Sequence, residues 1–127
     1  LLLICMTALP ILAKDDHSTH KSAAKSTEAS KKPAVISIKG EIVDIVCFLG
    51  HNAKGDSHKA CAIACAKKGY PIGILDEKSK TVYLILPDHS DDSAYQIAKS
   101  KIASIVTIKG DDISKTEIKA VLINKVE

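Results

Sequence analysis

Apolar and polar residues alternate along the first patterned stretch of the chain. The run from Val35 to Cys47 reads Val-Ile-Ser-Ile-Lys-Gly-Glu-Ile-Val-Asp-Ile-Val-Cys, with Gly40 near its middle. Such alternation predicts a β-strand, and a glycine inside a strand favours a bend. We therefore expect one long strand over 35–47 that bends at Gly40.

A short helix is predicted soon after this strand. Residues 57–68 are rich in alanine, which favours helix, and Ser57 is a suitable N-terminal cap. Gly69 and Pro71 follow the alanine-rich run and are typical of a helix end. This helix would carry histidine and cysteine side chains.

Four further apolar runs predict strands that pair as two hairpins. The first hairpin joins 72–75 to 81–86, and the second joins 105–110 to 118–126. The residues between the paired runs are rich in Asp, Lys, Ser and Thr, which are typical of turns.

A second helix is predicted over 91–101, where Ala94, Ile97 and Ala98 share one face. The resulting order is a long bent strand, a helical insertion, two strands, a helix and two strands. We therefore expect a mainly β fold, a small five-stranded OB-like Greek-key barrel over 34–127. Its short Cys/His-bearing helix follows the first strand, and its second helix lies between strands three and four.

The first residues of the chain predict export. Residues 1–13 are apolar and uncharged, which is typical of a secretory signal peptide truncated at its start. The run is shorter than the ~20 apolar residues that span a bilayer, so no membrane span is expected after signal cleavage. Residues 14–33 predict a disordered Lys/Ser/Ala tether. We expect a periplasmic or secreted protein, with Cys5 lost together with the signal.

The net charge and the aromatic content of the chain argue against nucleic acid as a partner. The net charge of +3 is modest, and the lysines are spread along the chain. Phe48, Tyr70, Tyr83 and Tyr95 are scattered, whereas proteins that bind single strands stack bases on aromatic rings over a basic groove. We therefore expect no nucleic acid partner.

The sequence contains no nucleophile elbow, phosphate-binding loop or paired carboxylates in a plausible cleft, so we also expect no enzyme and no catalytic residue.

Five candidate metal ligands lie close together in the sequence, namely Cys47, His51, His58, Cys61 and Cys65. On a regular helix the last three would share one face, because they lie at i, i+3 and i+7. The end of the first strand would supply Cys47, and a short loop would supply His51. Four such donors suit tetrahedral zinc, and two or three thiolates suit Cu(I). We therefore predict a copper or zinc site and a non-enzymatic metal-binding module.

Two alternatives use the same thiols differently. Cys47 could form a disulfide with Cys61 or Cys65, worth about 2–4 kcal/mol, which would leave one spare thiol. The barrel would then serve as an OB-type binding module for a protein or an oligosaccharide, such as another envelope protein. A redox-active thiol pair is a third possibility, although the usual Cys-x-x-Cys motif is missing.

Asp44, three residues before Cys47, has two interpretations. Its carboxylate could support a ligand histidine, or it could face outward from the strand. The second interpretation is favoured slightly, because the neighbouring residues are apolar and alternate with it.

The chain resembles a group of small exported bacterial proteins with an OB-like barrel and a Cys/His-rich segment. The residues that carry the resemblance are Gly40, Asp44, Cys47, Phe48, His51, Gly55, His58, Cys61, Cys65, Gly69, Pro71 and the run 82–88. The resemblance covers nearly all of 35–127. It implies the barrel fold and export, and it implies no particular activity.

Overall fold

The computed structural model describes residues 32–127. The predicted signal peptide and all but the last two residues of the predicted tether lie outside this range. Five strands and three α-helices follow in the order β1 (Val35–Asp44), α1 (Ile45–His51), α2 (Lys59–Lys67), β2 (Ile72–Asp76), β3 (Val82–Leu86), α3 (Ser93–Ser100), β4 (Ile105–Asp112) and β5 (Ala120–Val126). A single 3-10 turn, Asp56–His58, leads into α2.

The five strands close into a barrel in the order β1-β2-β3-β5-β4, with β4 paired back to β1. The β2–β3 and β4–β5 pairs are antiparallel hairpins, and β3 pairs with β5 in parallel. The prediction of a small OB-like barrel, with one helical segment after the first strand and one helix between strands three and four, is confirmed.

β1 pairs with two neighbouring strands, and Gly40 lies in the part of β1 that pairs with both. Gly40 pairs with Asp76 of β2 and also with Val106 of β4. A Cβ atom at Gly40 would collide with the carbonyl group of Leu75 on the adjacent strand. Glycine is therefore required here because the two backbones approach closely.

The core consists of isoleucines from the strands and alanines from the helices. Its most deeply buried members include Ile42, Ile72, Ile74, Ile85, Ile102, Ile108, Val121 and Ile123. Ala62 and Ala66 of α2 and Ala94 and Ala98 of α3 pack against them. Because alanine is small, both helices lie close against the barrel wall. No helix of residues 32–127 is long and apolar enough to cross a membrane.

The structure corrects several predicted boundaries. β1 ends at Asp44 rather than at Cys47, and the chain turns directly into α1. The predicted helix over 57–68 is the α-helix Lys59–Lys67, preceded by the 3-10 turn. The helix predicted over 91–101 spans Ser93–Ser100, and Ile97 is 48% exposed, so its placement on the buried face was wrong. The predicted strands 105–110 and 118–126 are β4 and β5, with bounds shifted by up to two residues.

Candidate metal centre

Cys47 lies in the first turn of α1, and Asp44 makes that helix begin. The Asp44 side chain caps α1, because its Oδ1 accepts a hydrogen bond of 2.7 Å from the backbone N–H of Cys47. Side-chain caps of this kind satisfy a donor that the first helical turn leaves free. The helix ends at Asn52, whose left-handed backbone (φ 52°) lets its N–H bond to the carbonyl of Phe48.

Cys61 and Cys65 lie on α2, beside the stripe that packs on the barrel. Ala62 and Ala66 are four residues apart and are both buried in the core. Each cysteine directly precedes one of these alanines, so the thiols lie at the edge of the buried face. Cys65 is half-buried there, whereas Cys61 is exposed.

Three hydrogen bonds fix the ends of the helical segments and the loop between them. The backbone N–H of Ile45 donates to the carbonyl of Pro71 (3.0 Å), which joins the start of α1 to the chain just beyond α2. The N–H of Tyr70 donates to the carbonyl of Cys65 (3.2 Å). The Gly55 N–H donates to the Glu41 carboxylate on β1, which anchors the connecting loop. The first of these bonds therefore joins the start of α1 to the chain that follows α2, and the third joins the connecting loop to β1.

The three thiols consequently converge. The Sγ atoms of Cys47, Cys61 and Cys65 all lie within 4.8 Å of one another, and those of Cys47 and Cys65 are 3.8 Å apart. Two thiolates bound to one ion through bonds of about 2.3 Å would lie about 3.8–4.0 Å apart. A disulfide requires about 2.05 Å, and all three cysteines are free thiols. The sulfurs lie close enough to hold a metal ion.

The environment of Cys47 keeps its thiol protonated. Loss of contact with water, together with the neighbouring Asp44 carboxylate and the Cys65 thiol, raises the pKa of Cys47 to about 12, and the loss of water contact is the largest of these causes. At neutral pH Cys47 is therefore a neutral thiol, and a metal ion that binds there must displace its proton.

Neither predicted histidine ligand belongs to this grouping of ligand atoms. His51 is the last residue of α1 and is exposed, rather than lying in a loop as predicted. His58 ends the 3-10 turn and is the cap residue of α2. Because the regular helix begins after His58, the expected shared helical face holds only for Cys61 and Cys65. Of the five predicted ligands, the structure brings together the three cysteines.

Two buried side-chain atoms of residues that precede the ligand cysteines in the sequence have no hydrogen-bond partner within residues 32–127. They are Oδ2 of Asp44 and Nε2 of His58. Asp44 is only 1% exposed and is the single buried charged residue of that range, so the prediction that it faces outward was wrong. Buried polar atoms without a partner are costly and often mark the place of a ligand or ion.

A sequence signal for this arrangement exists and was missed. Asp44-Ile-Val-Cys47 and His58-Lys-Ala-Cys61 share one pattern, a cap residue followed three positions later by cysteine. Each of these cysteines therefore occupies the third position of its helix. Two such helix starts, placed side by side, bring two thiols together, and Cys65 lies one turn further along α2.

Comparison of the chain with protein-family models, with curated proteins and with solved structures gave no match. The predicted resemblance to a group of small exported OB-like proteins therefore stays a prediction.

Proposed function

We propose that this protein is an exported, non-enzymatic metal-binding module that holds a soft metal ion through Cys47, Cys61 and Cys65. The observation that carries the proposal is the mutual approach of the three Sγ atoms to within 4.8 Å. Thiolate sulfur selects copper in its reduced state, and zinc, over hard cations such as magnesium or calcium. Export is supported by the apolar run of residues 1–13.

Cu(I) fits this donor set better than zinc does. Structural zinc sites almost always have four protein ligands, whereas the converging set in residues 32–127 supplies three. His58 is the candidate fourth donor for zinc, because its buried Nε2 has no hydrogen-bond partner in the described chain, although this atom lies outside the grouping of the three sulfurs. We therefore place Cu(I) first and zinc second.

A second candidate function rests on the short distance between Cys47 and Cys65. Their sulfurs, 3.8 Å apart, need only modest side-chain rotation to form a disulfide, which would leave Cys61 as an exposed spare thiol. In that case the barrel would be a binding module for a protein or an oligosaccharide. A catalytic redox role is less favoured, because reactive thiols have lowered pKa values and that of Cys47 is raised.

Substitution of the α2 cysteines tests the proposed function. We expect the Cys61→Ser/Cys65→Ser variant to lose bound metal while its circular dichroism and cooperative unfolding remain those of a folded barrel. Ala60→Ser/Ala64→Ser is the matched control, since it adds two hydroxyls to exposed positions of the same helix and removes no thiol. Metal retained at full stoichiometry by the cysteine variant would refute the ligand assignment.

A reductant distinguishes the disulfide alternative. If Cys47 is bridged, reductant lowers the melting temperature of the wild-type protein and leaves that of Cys47→Ser unchanged. If the thiols hold metal, a chelator lowers the melting temperature of the wild-type protein, and reductant alone does not.

A further inference from the structure

Positive charge is concentrated on the part of the chain that carries the thiols. The helical insertion, defined as residues 45–71, contains one acidic residue, Asp56, and four lysines. The lysines are Lys54, Lys59, Lys67 and Lys68, and all four are exposed. Four positive charges less one negative charge give +3. The rest of the described chain has ten lysines and eleven acidic residues, which gives −1.

One thiol of the cluster is open to a second molecule. Cys61 is exposed, while Cys47 and Cys65 are half-buried. Its neighbours on the outer side of α2 are Ala60 and Ala64, which are exposed and small. A metal ion held by the three sulfurs could therefore be approached from the side of Cys61.

The helical insertion also exposes apolar side chains. Val46 and Leu49 of α1 lie one turn apart and are 50% and 73% exposed. Tyr70, which is hydrogen-bonded to the end of α2 through its backbone, is 42% exposed. An exposed apolar group rimmed by charge is typical of a surface that contacts another protein.

We infer that the helical insertion is a docking surface for an acidic protein that presents cysteine thiols and exchanges the metal ion with this cluster. The inference rests on the proposed function. Its separate basis is the charge difference between the insertion and the barrel, which attracts an anionic partner to the exposed thiol.

The exchange is a ligand substitution without a redox step. A thiol of the partner binds the metal as thiolate and gives up its proton, while the bond from the metal to Cys61 breaks and Cys61 takes up a proton. The same substitution at Cys65 and Cys47 completes the transfer. The oxidation state of the metal does not change, so neither an oxidant nor a reductant is needed.

Transfer rates to two synthetic peptides test this inference. Both peptides contain the same pair of cysteines, flanked by aspartate and glutamate in one and by lysine in the other. The protein is loaded with Cu(I), and the second-order rate of transfer is followed by stopped flow. We expect the acidic peptide to react at least about tenfold faster at low ionic strength, and the two rates to converge at high salt.

Charge-reversal variants test whether the lysines of the helical insertion cause the preference for the acidic peptide. We expect Lys54→Glu/Lys59→Glu to abolish most of the preference for the acidic peptide. The matched control Lys78→Glu/Lys115→Glu makes the same charge change at exposed positions outside the insertion and should retain most of the preference. Equal rates for the two peptides, or equal effects of the two double variants, would overturn the inference while the proposed function stands. A wild-type protein that binds neither copper nor zinc would overturn both, and metal content measured before the kinetics separates these cases.

Discussion

Asp44 connects the barrel to the candidate metal centre through a single side chain. Its Oδ1 caps α1 by accepting from the Cys47 N–H, while Oδ2 is buried without a partner in the described part of the chain. A buried carboxylate is expensive unless it is hydrogen-bonded or faces a positive charge. Asp44 therefore orients the helix that bears Cys47, and its negative charge would favour a cation at the neighbouring thiols.

Replacement of Asp44 should separate its capping role from its charge. Asparagine caps helices as well as aspartate does, so Asp44→Asn should leave stability nearly unchanged, whereas Asp44→Ala should cost about 1 kcal/mol of unfolding free energy. Because the carboxylate raises the pKa of Cys47, Asp44→Asn should bring that pKa below about 12. Denaturant unfolding measures the first effect, and thiolate absorbance during a pH titration of the Cys61→Ser/Cys65→Ser background measures the second.

An exposed acidic residue outside the site provides the control for that titration. Asp91→Asn removes one negative charge from the region before α3 and should leave the Cys47 pKa where it is. An unchanged Cys47 pKa in Asp44→Asn would contradict the assigned role of the carboxylate.

The two histidines should respond differently to the choice of metal. His58 has a buried, unpartnered Nε2, whereas His51 is exposed at the end of α1. We expect His58→Ala to weaken zinc binding at least about tenfold and to leave Cu(I) binding unchanged, since three thiolates suffice for Cu(I). His51→Ala should alter neither. Competition titrations with a chromophoric chelator measure both metals, and a loss of Cu(I) affinity in His58→Ala would show that the ligand set is larger than three thiols.

Among the elements, α1 shows most clearly what the sequence pattern could predict and what it could not. The apolar residues of β1 continue through Ile45-Val46-Cys47, so a strand over 35–47 was the expected result. The structure instead begins a helix at Ile45, because the Asp44 cap and the Ile45–Pro71 hydrogen bond stabilise a turn at that point. That second contact comes from a residue 26 positions away, and no local pattern reports it.

The barrel was predictable because its elements have strong local signals. Apolar runs bounded by turn residues defined β2 and β3, and Gly40, predicted as a bend, lies where β1 pairs with both β2 and β4. The convergence of three thiols was predicted in outline from their spacing. The exclusion of the histidines from the grouping was not, since that of His58 depends on where the regular turns of α2 begin and that of His51 on where α1 ends.

Two glycines in neighbouring elements should respond oppositely to alanine. Gly40→Ala places a methyl group against the Leu75 carbonyl on β2, so the strands must separate, and we expect a loss of about 1–3 kcal/mol. Gly50 lies in α1 with no atom within 4 Å of an added Cβ. Gly50→Ala should therefore stabilise the protein by about 0.5–1 kcal/mol through helix propensity. Thermal and denaturant unfolding check both, and equal effects would show that close backbone contact does not determine the choice of glycine at Gly40.

At the scale of the whole molecule, the hydrophobic core and the thiols lie in different parts of the fold. The isoleucine core lies inside the closed barrel, while the thiols lie on two short helices held to it by a few hydrogen bonds and by Ala62 and Ala66. Metal binding should therefore order the insertion more than the barrel.

Hydrogen exchange can measure the effect of metal on the insertion and on the barrel strands separately. We expect bound metal to slow amide exchange in 45–67 and to leave the protected amides of the strands nearly unchanged, because the strands do not depend on the thiols. At a free metal concentration of 100 times Kd, stability should rise by about 2.7 kcal/mol. The Cys61→Ser/Cys65→Ser variant should show neither effect. Loss of strand protection on metal removal would mean that the barrel itself requires the ion.

The most direct test of the central claim is the metal content of the purified protein, measured by mass spectrometry together with a free-thiol count in denaturant. The protein is purified without chelator, and the thiols of the Lys14–Glu127 portion are counted after metal removal. The three-thiolate site predicts about one copper or zinc ion per chain, with Cys47, Cys61 and Cys65 all titrating as free thiols. Absence of metal together with a single free thiol would contradict it and would indicate a disulfide-linked barrel.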